Sequence, residues 1–349
     1  MSGAGQASTL GGNAGALLAV ENLKTHFFTR AGVVKAVDGV SFSLRPGQVL
    51  GLVGESGSGK SVTGSSILRL VDPPGRIVEG RVLFEGRDLA ALSEEEMRAV
   101  RGRRISMVFQ DATATLNPVM RVGEQLALAL RAHRRMSDRE VRDHAVAALA
   151  QVGLPEPGAR LAVYPHQLSG GMRQRVAIAV ALLHKPALVI ADEPTTALDV
   201  SVQAQIIHEM RGLVRGSGTA MIWITHDLAT VSGLADEIMV MYAGKVVEWG
   251  PTRAILRAPR HPYTRGLLDS VPSRNQRGAP LAQIPGSTPS LLRLPEGCPF
   301  RPRCPRASEV CVVMPDATLE PTGEGRQRGF HCHHPLGDAP GLEPAREAA

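Results

Sequence analysis

No apolar run in this 349-residue chain approaches the ~20 residues that cross a bilayer, so it does not read as a membrane-spanning subunit. Nor does its start read as a cleavable signal. Met1 to Gly15 is rich in Gly, Ala and Ser without an apolar segment, and residues 1–16 read as a disordered tail. Long basic runs are missing too. Lys and Arg exceed Asp and Glu by 39 to 33, for a net charge of +6 and a pI of about 9.5, but the arginines are scattered. Without clustering, that excess does not point to nucleic acid. Cysteine is absent until residue 298. These absences predict a cytosolic protein that can still bind a membrane partner. The hydrophobic share of 43% allows a substantial core, either in one large domain with an appendage or in two domains.

What is present centres on Gly54-Glu55-Ser56-Gly57-Ser58-Gly59-Lys60-Ser61, a G-x-x-x-x-G-K-S phosphate-binding loop. Gln48 to Val53 before it reads as a buried strand, and Ser61 to Leu70, with Val62 in its first turn, reads as a helix. Glycines let such a loop bend and aim successive N–H groups inward. The helix adds the positive end of its dipole. Lys60 is placed to reach the β- and γ-phosphates of a nucleotide, and the Ser61 hydroxyl to hold Mg²⁺.

Around this loop the chain reads as alternating strands and helices. Ala19–Phe28, Val33–Val37, Val40–Leu44 and Gly80–Phe84 read as strands, with Asp38-Gly39 separating two of them. Ser93 to Glu96 has the spacing of a capping box, and Ile105–Phe109 reads as a short strand ending at Gln110. Val122 to Val152 reads as an all-helical insertion, and Leu168–Leu183 as a further helix. Leu188–Ala191 is a continuous apolar run, as a strand buried on both faces requires. Ser201–Val214 reads as a helix, Met221–Thr225 as a strand, and Ile238–Tyr242 with Lys245–Glu248 as a hairpin across Ala243-Gly244. Beyond residue 250 lie 16 of the 25 prolines and all four cysteines. That stretch reads as a loop-rich appendage that does not continue the sheet.

The strand Leu188–Ala191 runs into Asp192-Glu193. Acids at a strand's C-terminal end stand where ligands bind in open α/β sheets. Asp192 is suited to orient Mg²⁺ and Glu193 to polarise a water as general base. Further on, Leu168-Ser169-Gly170-Gly171-Met172 opens a helix. Together with the loop, Gln110, Asp192-Glu193 and His226, its spacing resembles the ATP-binding cassette (ABC) ATPases over residues 18–250. The resemblance implies an α/β P-loop NTPase fold, a RecA-like core with an antiparallel β subdomain and a helical subdomain near residues 111–165, in a cassette covering 17–250. An extension over 251–336 and a frayed end at 337–349 follow. It implies that Phe27, or Phe28 beside it, stacks on adenine. It implies that Gln110 senses Mg²⁺ and the attacking water, and that His226 contacts the γ-phosphate and holds that water in line with Glu193. It implies as well that Ser169, Gly170, Gly171 and Asp199 act across a dimer of two cassettes that sandwich two ATPs.

Leu116-Asn117-Pro118, Glu193 to Val200, His261 to Leu268, and Ile284 to Cys304 are similar to the peptide-importer branch. This implies a motor for di- or oligopeptide import, with nickel or glutathione as alternative cargo. A soluble cassette ATPase is the rival class, disfavoured by a single P-loop and no extended heptads. The branch implies two permease subunits engaged through Gln110–Pro118, a second and different cassette, a substrate-binding protein, and a peripheral place on the cytoplasmic face of the inner membrane. Asp111-Ala112-Thr113-Ala114-Thr115 departs from the branch where it faces the permease. Cys298, Cys304, Cys311 and Cys332 are spaced C-x5-C-x6-C-x20-C. In a cytosolic chain this predicts a metal rather than disulfides, although the spacing matches neither a zinc nor a ferredoxin run. The resemblance implies a [4Fe–4S] cluster. Zinc is the alternative, with His331, His333 and His334 at hand.

Overall fold

The computed structural model describes residues 15–111, 115–195, 198–272, 275 and 280–337. Twelve strands are present among them: β1 Leu18–Thr29, β2 Gly32–Leu44, β3 Val49–Val53, β4 Gly75–Phe84, β5 Arg87–Asp88, β6 Ile105–Val108, β7 Leu188–Asp192, β8 Ala220–Thr225, β9 Glu237–Tyr242, β10 Lys245–Pro251, β11 Thr318–Pro321 and β12 Gln327–Phe330. The chain divides into two compact units. The first takes the chain up to Arg45, then Val49–Ala90 and everything from Trp223 onward; the second takes Pro46–Gln48 and Ala91–Ile222.

In the first unit an antiparallel sheet runs in the order β2-β1-β4-β5. β1 and β2 pair along their length from Leu18↔Leu44 to Thr29↔Gly32. Val33–Val37 and Val40–Leu44 are therefore one strand, not the two expected. Asp38-Gly39 does not break the strand; the register slips there, and Gly39 absorbs the irregularity at a φ of +86°. A second set of strands runs β11-β12-β10-β9-β3. All five residues of β3 are buried, and β9 pairs with it in parallel. The hairpin β9–β10 turns at Ala243-Gly244, both at positive φ (47° and 83°), the conformation a two-residue hairpin turn needs.

The second unit begins its sheet with β6 and β7, parallel in the register Ile105↔Leu188 to Val108↔Ala191, and β8 starts beside β7. Both β7 and β8 are wholly buried, as their apolar runs require. The expected helical insertion is present as Val122–Arg131 and Asp138–Gln151. Each lays down a stripe four residues apart: Val122, Leu126 and Leu130 on one, Val141, Ala145 and Leu149 on the other. Capping boxes start two helices, at Ser93 with Glu96 and at Ser137 with Glu140. Such a cap contributes about 1 kcal/mol.

The extension departs from expectation. It does continue a sheet: β12 pairs with β10 at Glu248↔Phe330 and Trp249↔Gly329, and β11 covers β12 in turn. Gly329 makes this possible, because a Cβ there would lie 2.2 Å from the Trp249 ring. Covering β10 also satisfies a row of backbone groups that would otherwise stand open at an edge.

A buried carboxylate ties the start of the extension to the same strand. Glu248, fully buried on β10, accepts the backbone N–H of Arg260 at 2.7 Å and of His261 at 2.9 Å. Burial pushes its carboxyl up to about 7 from an ordinary 4.5, and these two donors only partly oppose it. His261 is held down to about 3, first by burial and then by His331, so its ring is neutral and its Nδ1 accepts the Tyr263 N–H at 3.1 Å. The folded chain thus binds a proton at Glu248 more tightly than the unfolded chain does. Stability from this group is complete below pH 4.5 and lost as pH rises to about 7, by roughly 3 kcal/mol. The stability difference between the parent and Glu248→Gln, measured by urea unfolding at pH 5 and pH 8, is expected to shrink or reverse by about that amount. A pH-independent difference would show that Glu248 titrates as it does in the unfolded chain.

Candidate functional site

The phosphate loop lies in the first unit between β3 and the helix Lys60–Ile67. Its glycines are required by close approach. A Cβ at Gly54 would lie 2.2 Å from the Met241 carbonyl oxygen, and one at Gly59 equally close to the Ala36 carbonyl oxygen. Gly59 also has φ +102° as the helix N-cap. The loop closes on itself, with the Ser58 N–H donating to the Glu55 carbonyl at 3.2 Å. Lys60, only 4% exposed, curls back and donates its Nζ to the carbonyls of Gly54 (2.8 Å) and Glu55 (3.0 Å). Ser56, Gly57 and Ser61 are exposed, and Val62 is half-buried.

Of the aromatics expected at adenine, Phe27 is half-buried with its ring against Gly75, where a Cβ would come within 2.5 Å. Phe28 is exposed, and the Arg76 guanidinium lies 4.1 Å from its ring centre. His226 follows the end of β8 and is exposed.

In the second unit the parallel register of β6 and β7 decides the geometry. Because Val108 pairs with Ala191, both strands end level, and the residues just beyond them meet. Gln110 donates Nε2 to Glu193 Oε2 at 3.2 Å. Asp192 is buried at the end of β7, and Glu193 turns away at a φ of +44°, a left-handed conformation that a side chain rarely adopts.

The Ser-Gly-Gly segment opens the helix Gly170–Leu182. Ser169 is its N-cap and accepts the Met172 N–H at 3.3 Å. Ser169 and Gly170 are exposed, so the positive end of this helix faces outward. Asp199 caps the helix Val200–Ser217 and is also exposed. The two helix starts are neighbours: Cβ positions at Gly171 and Gly170 would lie 3.0 Å from Val202 and 4.0 Å from Leu198. Sequence reasoning named these residues separately; the fold puts them side by side. Of the segment between Glu193 and Val200, residues 196–197 lie outside the described residues, as do 112–114 of the loop expected to face a permease.

The metal site expected at the four cysteines finds no support among the described residues. Cys298 and Cys311 are buried, joined by a backbone hydrogen bond of 3.0 Å, and all four thiols are free. Burial pushes the Cys298 and Cys304 thiols up and takes Cys332 to about 11, with neighbouring thiols adding to it. Among the described residues no group of three or more His, Cys, Asp or Glu could hold a metal ion. Neither the [4Fe–4S] cluster nor zinc is supported by that arrangement.

Sequence reasoning missed one set of residues. Arg303, Thr288 and Tyr263 of the extension reach the phosphate loop at Glu55. Nothing periodic in the sequence marks them.

With this geometry in view, comparison with known proteins is informative. The family model described as ABC transporter matches residues 37–196. The one described as oligopeptide/dipeptide transporter, C-terminal region, matches residues 247–311. The oligopeptide transport ATP-binding protein OppD of Salmonella typhimurium is 50% identical over 323 residues, covering 93% of this chain and 95% of the relative. The dipeptide transport ATP-binding protein DppD of Bacillus subtilis is 50% identical over 305 residues, covering 87% and 91%. Among solved structures, the dimeric ATP-binding cassette MJ0796 in a post-hydrolysis state with ADP and Pi is 29% identical with a TM-score of 0.62, covering 68% of this chain and 99% of that one. The antiparallel sheet, the glycine loop after a buried strand, the helical insertion and the acid pair at the end of β7 are thus the parts of an ABC cassette, and the chain belongs to the ABC transporter family, among its oligopeptide and dipeptide transport ATP-binding subunits.

Proposed function

We propose that this chain is the ATP-hydrolysing motor subunit of an importer for di- or oligopeptides. The observation that carries the catalytic part is the hydrogen bond from Gln110 to Glu193, a strained acid at a strand end. The peptide transport names of its relatives support peptide cargo over nickel or glutathione, and over a soluble ATPase. A cassette is not expected to touch the cargo, so its class comes from those relatives alone.

Phosphoryl transfer needs mainly positioning and charge stabilisation. The N–H groups of Gly57, Gly59 and Lys60, the Ser58 side of the loop and the Lys60 ammonium are assigned to the phosphates. For this, Lys60 exchanges its bonds to the Gly54 and Glu55 carbonyls for phosphate oxygens. Phe27 or Phe28 is assigned to adenine. The Ser61 hydroxyl, Asp192 carboxylate and Gln110 amide supply the hard oxygen donors that suit Mg²⁺, which neutralises phosphate charge when bound. Glu193 takes a proton from the attacking water as its oxygen bonds to the γ-phosphorus, and the bond to the ADP oxygen breaks. Gln110, by donating to one Glu193 oxygen, fixes which oxygen faces the water. His226 is assigned to the γ-phosphate.

Ser169, Gly170, Gly171 and Asp199 are assigned to the nucleotide of a second cassette, a role that fits two exposed, adjacent helix starts. A shared γ-phosphate then closes the pair, and its loss opens it. Residues 17–250 form the cassette in this reading and 251–336 the branch-specific extension. Two permeases are assigned to the Gln110–Pro118 region, and a substrate-binding protein acts on their far side. No described helix is long and apolar enough to cross a membrane, which fits a peripheral subunit on the cytoplasmic face of the inner membrane.

Glu193→Gln is expected to keep ATP binding, lower turnover by about 10²–10⁴-fold and accumulate closed dimers, read by steady-state hydrolysis and size-exclusion chromatography with ATP. Turnover near the parent rate would remove Glu193 as the base. A mild-detergent pull-down of the tagged chain from membranes is expected to return two polytopic membrane proteins and a second cassette. Ribosomes, DNA or nothing membranous would overturn the transport assignment while leaving the ATPase standing.

A further inference from the structure

The phosphate loop is held by the extension at one residue. Glu55, directly after Gly54, meets Arg303 at two points, Nη1 to Oε2 at 2.7 Å and Nη2 to Oε1 at 3.1 Å. Thr288 donates its hydroxyl to the same Oε2 at 3.2 Å. The backbone N–H of Glu55 donates to the Tyr263 hydroxyl at 2.8 Å. Glu55 is thus fixed through both its side chain and its amide.

The groups that hold it are themselves fixed. The Arg303 side chain is 5% exposed. It donates Nε to the Pro285 carbonyl at 2.8 Å and Nη1 to the Tyr242 hydroxyl at 3.2 Å. Gly286 takes a φ of +73° in the turn just after Pro285. Tyr263 sits in the helix Pro262–Asp269, its ring against Tyr242 at 4.6 Å and Phe300 at 5.3 Å. A guanidinium fork matches a carboxylate at two points, and an immobilised one loses little freedom in doing so. On its other side Glu55 offers its carbonyl to the Lys60 ammonium at 3.0 Å. The residue gripped by the extension is therefore the residue that positions Lys60.

We propose that the extension is a working arm of the phosphate site. Arg303 and Tyr263 are positioning residues that act through Glu55 to hold the loop in the form that accepts ATP, so ATP affinity depends on the extension. Glu55 then serves through its backbone, its carboxylate being committed to Arg303 and Thr288. With its N–H given to Tyr263, the phosphate-facing amides come from later in the loop. This deepens the assignment of ATP to the loop and rests on it.

The test uses the full chain, a fluorescent ATP analogue for affinity, steady-state ATP hydrolysis for KM and kcat, and thermal unfolding for integrity. Arg303→Met is expected to weaken ATP binding about tenfold, chiefly in KM, with kcat changed less than about threefold. Arg303→Lys, which keeps the charge but not the fork, falls between, and Tyr263→Phe loses several-fold. In a Glu55→Gln background Arg303→Met is expected to cost less than about twofold more, because both changes break one contact. Affinity within about twofold of the parent in Arg303→Lys and Tyr263→Phe, both of which preserve packing, overturns the proposal even if Arg303→Met fails to fold. So do additive losses in the cycle. Lys60→Ala separates the two levels: if it abolishes ATP binding while the Arg303 and Tyr263 variants match the parent, the arm alone is wrong. If Lys60→Ala binds ATP normally, the loop assignment itself falls.

Discussion

The phosphate loop depends on a backbone that passes too close to its neighbours for a side chain. At Gly54 and Gly59 the loop after β3 runs against the carbonyls of Met241 and Ala36, 2.2 Å from where a Cβ would stand. Only glycine lets the chain reverse there and begin a helix at once. The reversal draws Lys60 inward, where the carbonyls of Gly54 and Glu55 hold its ammonium.

The acid end of the second unit follows from a different constraint, the register of a parallel strand pair. Val108 opposite Ala191 ends both strands level, and that brings Gln110 to Glu193. A slip of one residue in either strand would send alternate side chains to the opposite face. The left-handed backbone at Glu193 shows that this corner is not the relaxed end of a strand. Asp192 is buried and Glu193 half-buried, so two successive carboxylates have different surroundings.

The extension is bound into the first unit by polar contacts buried among aromatic rings. Glu248 on β10 accepts the N–H groups of Arg260 and His261, Gly329 lets β12 lie against Trp249, and the Tyr263 and Phe300 rings each meet Tyr242 edge to face. Arg303 is held there by the Pro285 carbonyl, the Tyr242 hydroxyl and the Glu55 carboxylate.

Much of this was legible in the sequence, for physical reasons. The G-x-x-x-x-G-K-S loop, the apolar run into Asp192-Glu193, the capping box at Ser93 and the helical insertion are local, each written in neighbouring residues and in period. The hairpin at Ala243-Gly244 was readable because its turn chemistry is local as well. What the tertiary structure alone decided depends on residues far apart in the chain. That Val33 to Leu44 is one strand follows from pairing with β1, since only a partner can carry a strand through a bulge at Gly39. That the proline-rich extension adds strands to β10 follows from an open edge and a glycine 80 positions beyond the tryptophan it meets, at 329 and 249. The grip of Arg303 on Glu55 joins residues 248 positions apart, and no pattern along the chain announces it. Local sequence determined which elements form and where the chemistry stands; long-range closure of backbone and charge decided what holds that chemistry in place.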